Sequence, residues 1–240
     1  MKSLIILAMF SISSLAQAAV VVVPQISGKY SARILIDQCN GDVCQGRARV
    51  SIINLETHEK IAEMESDDFS ISVNSDSNSK EVLLAAIGNE EIVIGDFNFD
   101  GHDDVAIQNG LGSSYGYASY EVFTYDANKQ VYSLNLALTR LTGGEYLGMF
   151  VVDKKRKRLL AYNKAAAGIF ESFEFISDVR GLKKTCEKSE IWDMPNNLVK
   201  VTVKTLEKNN RWRIRKKSFP DDGYDFNKMA APGRCAFLNQ

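Results

Sequence analysis

Apolar and polar positions alternate with period two along most of this chain, which is the pattern of half-buried strands. Tyr30, Ala32, Ile34 and Ile36 face one way between Tyr30 and Asp37, with Leu35 the exception. Val50, Ile52 and Ile53 continue the pattern from Arg47 to Asn54, and an Asn40-Gly41 turn lies between the two runs. Together they predict a hairpin. Phe69, Ile71 and Val73 alternate with serines, and a polar loop follows. Residues 81–94 are apolar enough for one or two strands, with a turn near Gly88. Tyr117 to Tyr125 alternates again, turns through Asp126 to Lys129 and returns over Gln130 to Leu136. Further pairs are expected at Leu147–Val152 with Arg158–Tyr162, Ile169–Ser177 with Gly181–Glu187, and Leu198–Leu206 with Arg211–Lys217. Ala19 to Pro24 reads as an edge strand or a loose arm, and Pro220 to Gln240 as an irregular tail. Turns every eight to twelve residues with few helical segments predict an all-β fold.

The two ends and the cysteines set the compartment. Met1-Lys2, an apolar run from Leu4 to Leu15 and Ala16-Gln17-Ala18 have the form of a signal peptide with an A-x-A cleavage site. The run is short of the ~20 residues that span a bilayer. Residues 1–18 are thus read as a signal peptide and 19–240 as a single all-β domain, periplasmic or secreted after cleavage near Ala18 and without stable membrane insertion. A formal net charge of −1 gives no reason to expect nucleic acid. Cys39, Cys44, Cys186 and Cys235 are an even set in an exported chain, which favours two disulfides. The turn between Cys39 and Cys44 favours that bridge, leaving Cys186 with Cys235, while the other two pairings stay open.

One turn carries chemistry. Asp96-Phe97-Asn98-Phe99-Asp100-Gly101-His102-Asp103-Asp104 lies between the apolar runs Ile92–Ile94 and Val105–Ile107. Asp96, Asn98 and Asp100 set oxygen side chains at alternate positions, Asp104 adds one at position nine, and Gly101 permits the bend. The His102 backbone carbonyl completes an oxygen-only set of the kind Ca²⁺ takes at ~2.3–2.6 Å. Position twelve is Ile107 where an EF-hand has Glu, and the flanks are strand-like, so the expectation is a Ca²⁺ loop at 96–104 in a β context. It occurs once, so any propeller is irregular.

Catalytic sets are harder to find. The two histidines are His58, in a polar segment, and His102, inside the acidic turn. No nucleophile–base pair or second carboxylate cluster assembles, so the chain is read as a binding protein and not an enzyme. The five basic residues from Lys154 to Arg158 read as a solvated hairpin turn. What remains is Asn109 to Tyr120, rich in Gly, Ser and Tyr and joined to the acidic turn by one short strand. Tyr gives rigid contact area and Ser and Gly give adaptable hydrogen bonds, a composition suited to recognition.

GDFNFDGHDDVAIQNG, SYGYASYEVFTYD and LTRLTGGEYLGMFVVDKKRKRLLAY together resemble a group of exported bacterial proteins with a single FG-GAP-type calcium loop. That group is similar to periplasmic immunity proteins of antibacterial type IV secretion, which inhibit lysozyme-like peptidoglycan hydrolases. The resemblance implies an irregular β-propeller-like fold with one Ca²⁺ loop between strands. It implies metal ligands at Asp96, Asn98, Asp100 and Asp104, to which the reading of the turn itself adds His102. It also implies a hydrolase-binding loop, which falls at Ser113, Ser114, Tyr115 and Gly116, and the composition of the segment extends the expected contact to Tyr117 and Tyr120. The alternative is a non-inhibitory, calcium-stabilised module for envelope glycans or another exported protein.

Overall fold

Fifteen strands in three sheets make up the computed structural model, which describes residues 18–74, 82–85, 90–178, 181–222 and 224. The first sheet holds β1 (Ala19–Ser27), β2 (Tyr30–Asn40), β3 (Val43–Asn54), β4 (Lys60–Asn74) and β5 (Val82–Ala85). Its neighbours run antiparallel, except that β1 also pairs in parallel with β5, Val20 beside Val82, and this closes the sheet into a barrel. The expected hairpin of β2 and β3 forms with Cys39 opposite Cys44, and these two are disulfide-bonded. Gly41 opens the turn at φ 59°, a left-handed conformation that glycine adopts without steric cost. The alternating residues of the sequence fill the barrel: Val21, Ala32, Ile34, Ile36, Val50, Ile52, Phe69 and Ile71 are all buried. The Val-rich start of the chain is therefore an interior strand of the barrel, not an edge or an arm.

The second sheet is β6 (Ile92–Gly95), β7 (Asp104–Gln108), β8 (Tyr120–Asp126) and β9 (Val131–Leu134). All five residues of β7 are buried. The cause is that the sheet is covered on both faces. Ile92, Val105 and Ile107 point into the barrel's core, while Phe97, Ala106, Tyr120 and Val122 point the other way. On that side they meet Leu138 of the one-turn helix α1 (Leu136–Thr139), Leu141, Tyr146 and Phe150. Phe97 and Phe150 meet edge to face, with ring centroids 5.4 Å apart. Beyond them lies the third sheet, β10 (Val151–Asp153), β11 (Arg158–Ala166), β12 (Ile169–Asp178), β13 (Gly181–Asp193), β14 (Leu198–Leu206) and β15 (Trp212–Pro220), all antiparallel in chain order. Its far face carries a separate core of Cys186, Val199, Val201, Val203 and Phe219.

The all-β expectation holds, and this arrangement shows no closed propeller among the described residues. Pairing β1 with both β2 and β5 makes the first sheet a barrel instead of a blade, and the second sheet is the filling of a sandwich. Among the described residues there is no ring of blades. Cys186 is disulfide-bonded, and its expected partner Cys235 lies outside the described residues, as does most of the predicted tail. The turn placed near Gly88 and the signal peptide also lie outside them. Four of the five basic residues, Lys154 to Lys157, form the turn between β10 and β11 and Arg158 opens β11; Arg156 is held by Asp153 at 2.7 Å and Glu174 at 3.1 Å.

Candidate functional site

The acidic turn joins β6 to β7 and is folded by its own side chains. Asp96 Oδ1 accepts from the Asp100 amide and Oδ2 from the Gly101 amide, each at 3.0 Å. Asn98 Oδ1 accepts from the Asp100 amide at 3.0 Å, and Asn98 Nδ2 donates to Asp100 Oδ2 at 2.7 Å. Asp100 Oδ1 accepts from the His102 amide at 2.9 Å. Gly101 sits at φ 92°, which the bend requires. These bonds draw Asp96, Asn98 and Asp100 together within one turn. Asp104 does not share their surroundings. It is fully buried, with Oδ2 accepting from the Phe97 and Asn98 amides and Oδ1 from the Tyr125 amide. Burial pushes its carboxyl up to about 6, against the lowering effect of those amides. The His102 ring lies outside, 5.5 Å from Tyr125. Among the described residues no three carboxylate, imidazole or thiol groups converge to hold a metal unaided. An ion here would need Asn98 and backbone oxygens as well. Asp103 ties the turn to the barrel, accepting from Tyr30 Oη at 3.2 Å and pairing with Lys29 at 3.5 Å.

Strand β7 leads from this turn into the Gly-, Ser- and Tyr-rich loop. The loop is pinned at its base by Asn109, which the sequence reading passed over. Asn109 Oδ1 accepts from Ser66 Oγ and from the amides of Asp67 and Asp68, all within 3.2 Å. Ser119 closes the base from the other side, donating to the Asn109 carbonyl at 2.6 Å. Ser113 is buried: its hydroxyl donates to the Tyr146 carbonyl and accepts from the Gly148 amide. Tyr120 is buried too, with its hydroxyl on the Glu90 carbonyl at 3.2 Å, and burial pushes it up to about 12. These two residues of the expected recognition set therefore hold the loop, and their side chains do not present to solvent.

Ser114, Tyr115, Gly116 and Tyr117 form the tip. Leu111, Tyr115 and Tyr117 are 65%, 59% and 56% exposed. Tyr115 is left-handed at φ 56° and Gly116 follows at φ 72°. For tyrosine this is an uncommon conformation, of the kind that persists only where surrounding structure enforces it. Ser114 and Tyr115 border an open cleft of about 530 Å³, completed by Glu145, Asn163, Lys164 and Ala165. Lys164 Nζ lies 5.2 Å from the Tyr115 ring centroid and 5.7 Å from that of Phe170. Lys164 and Phe170 are opposed on β11 and β12, so the strand register places this cation beside a loop fifty residues earlier. Alternation within β11 marks which way Lys164 points, but no local signal marks what it meets.

No family model and no curated protein matches the sequence. The chain shares its fold with a Xanthomonas type IV secretion system related protein. The two structures align with a TM-score of 0.55 and 18% identity over 79% of this chain and 90% of the Xanthomonas protein. At that identity the likeness concerns the architecture and not an activity.

Proposed function

We propose that this chain is a periplasmic inhibitor of a lysozyme-like peptidoglycan hydrolase, acting through the tip at 114–117. The observation that carries the reading is Tyr115, exposed and held left-handed on a loop fixed at Asn109, Ser113 and Ser119. A loop ordered before binding loses little entropy on docking. Glycosidases of the lysozyme type flank the scissile bond with two carboxyl groups. Hydroxyls of Ser114 and Tyr115 can donate to such groups, with Lys164 adding positive charge beside them. The fold shared with a type IV secretion system related protein is consistent with a role beside exported effectors.

Calcium belongs to the same reading. Asp96, Asn98 and Asp100 with the His102 carbonyl offer hard oxygens of the type the ion prefers. Asp104, whose oxygens already accept three amides, adds charge and holds the loop shut. A bound cation would offset the repulsion between these carboxylates and stiffen the base of the recognition loop. The test is lysis of peptidoglycan by a panel of lysozyme-like hydrolases with the mature protein added. Stoichiometric inhibition of one hydrolase, lost in a Ser114→Ala/Tyr115→Ala double variant that still folds, supports the reading. Inhibition that survives the double change removes the loop assignment, and no inhibition of any hydrolase removes the function. The exposed tyrosines beside an open cleft also suit stacking on sugars, so retention on peptidoglycan without effect on hydrolysis would mark a glycan-binding module.

A further inference from the structure

Charge is unevenly distributed in this molecule. Residues 181–220, the strands β13 to β15 and their turns, contain eleven Lys and Arg against four Asp and Glu. That is a net +7 in a chain whose total is −1, so the remainder carries −8. The four acids are already matched. Glu187 pairs with Lys204 and Lys184, Glu190 with Lys188, Asp193 with Lys200, and Glu207 with Arg213. Lys183, Lys208, Arg211, Lys216 and Lys217 are exposed and have no carboxylate within 4.0 Å among the described residues. Lys183 donates instead to Asn210 at 2.8 Å, which draws it to the β14–β15 turn beside Lys208 and Arg211.

Two apolar side chains stand among these cations. Trp212 and Ile214 are 42% and 56% exposed and share one side of β15 with Lys216, since alternate residues of a strand face the same way. Opposite them on β14 are Leu206, Lys204 and Thr202. β15 is the last strand of its sheet, with no strand on its outer side among the described residues. Cations on such an edge discourage strand addition, a task that does not call for an exposed Trp and Ile. Aromatic and aliphatic tips flanked by Lys and Arg are instead what the interface of an anionic bilayer accepts.

We propose that β15 and the β14–β15 turn form a peripheral docking edge for an anionic lipid surface. Trp212 and Ile214 enter the headgroup boundary, and Lys208, Arg211 and Lys216 lie against the lipid phosphates. The edge is at the far side of the third sheet from the 114–117 loop, in sequence and in sheet order, so the proposal is independent of the inhibitor reading. The experiment is co-sedimentation of the mature protein with phosphatidylcholine vesicles, with and without phosphatidylglycerol. Binding is expected only to the anionic vesicles and to vanish in high salt. Each charge near such a surface contributes about five-fold in partitioning, so Arg211→Glu/Lys216→Glu should reduce it by well over ten-fold. Arg211→Gln/Lys216→Gln, which removes charge without reversing it, should reduce it by a smaller factor. Trp212→Ala/Ile214→Ala should weaken vesicle binding while leaving retention on immobilised polyglutamate unchanged. Equal sedimentation with both vesicle types would overturn the proposal. So would full vesicle binding by the Trp212→Ala/Ile214→Ala protein, which would mark a site for a soluble polyanion.

Discussion

Ser113 and Ser114 are neighbours with the same chemistry, and the structure gives them opposite duties. Ser113 is buried, accepts from the Gly148 amide at 2.7 Å and donates to the Tyr146 carbonyl. Replacing it by Ala leaves the Gly148 amide buried with no acceptor, while the Tyr146 carbonyl keeps the Ser114 amide at 3.1 Å. A buried donor left unsatisfied costs about 1–3 kcal/mol, so Ser113→Ala should destabilise by about 2 kcal/mol. For a chain of this size the melting temperature should fall by about 4–8 °C. Ser114→Ala, at a half-exposed site, should stay within about 0.5 kcal/mol of the wild type. Thermal unfolding measures the first quantity, and amide hydrogen exchange at Gly148 isolates its cause. In Ser113→Ala that amide should lose protection while the amides of β7 keep theirs. A Ser113→Ala protein that melts with the wild type and protects Gly148 equally would refute the account of this loop.

Three further outcomes follow from the same geometry. Chelation of divalent cations should lower the melting temperature, and Asp100→Ala should abolish that response; an unchanged melting curve in chelator removes calcium. Gly110→Ala should cost about 1–2 kcal/mol, because Gly110 is left-handed at φ 79° and an added Cβ would lie 2.8 Å from Asp68 Oδ2. Urea unfolding measures it, and a neutral result would mean that the loop base is not pinned to β4. The third concerns pH in chelator. Burial raises the Asp104 carboxyl to about 6 from an ordinary 3.8, so the folded state holds this proton more tightly than the unfolded chain. Its stabilising effect is present below about pH 4 and is lost as pH rises through about 6, by at most about 3 kcal/mol. The stability of wild type relative to Asp104→Asn should therefore decline over that window, and a flat difference would show that Asp104 is not protonated there.

Period-two alternation located most hairpins, because half-buried strands must alternate and because Gly41, like the Asn209-Asn210 turn, carries its own turn signal. It also located the acidic turn, whose internal bonds run between residues two to seven apart. Contacts between distant segments were not legible. Val20 beside Val82 closes the barrel, and nothing local to either residue announces the other. Tyr120 and Ser113 looked like surface recognition residues by composition. Their burial depends on Leu141, Tyr146 and Gly148, segments that reach them only when the chain folds back. The continuous apolar run of β7 could be read as a strand but not as one buried on both faces, since that requires knowing that two other sheets flank it. Asn109 was invisible for the same reason: the groups that donate to its side-chain oxygen lie some forty residues upstream on β4.

The parallel closure of the barrel has a consequence for assembly. β1 is the first of the described strands, yet one of its two neighbours is β5, some sixty residues later. β2, β3 and β4 can zip as consecutive hairpins while β1 waits with one edge open, and contacts of such sequence separation are slow to form. A protein shortened by residues 19–27 would leave β2 and β5 each with a bare edge facing the same gap. Such a gap accepts a strand of the missing sequence supplied from outside, so a peptide of residues 19–27 added to the truncated protein should bind it and restore its stability.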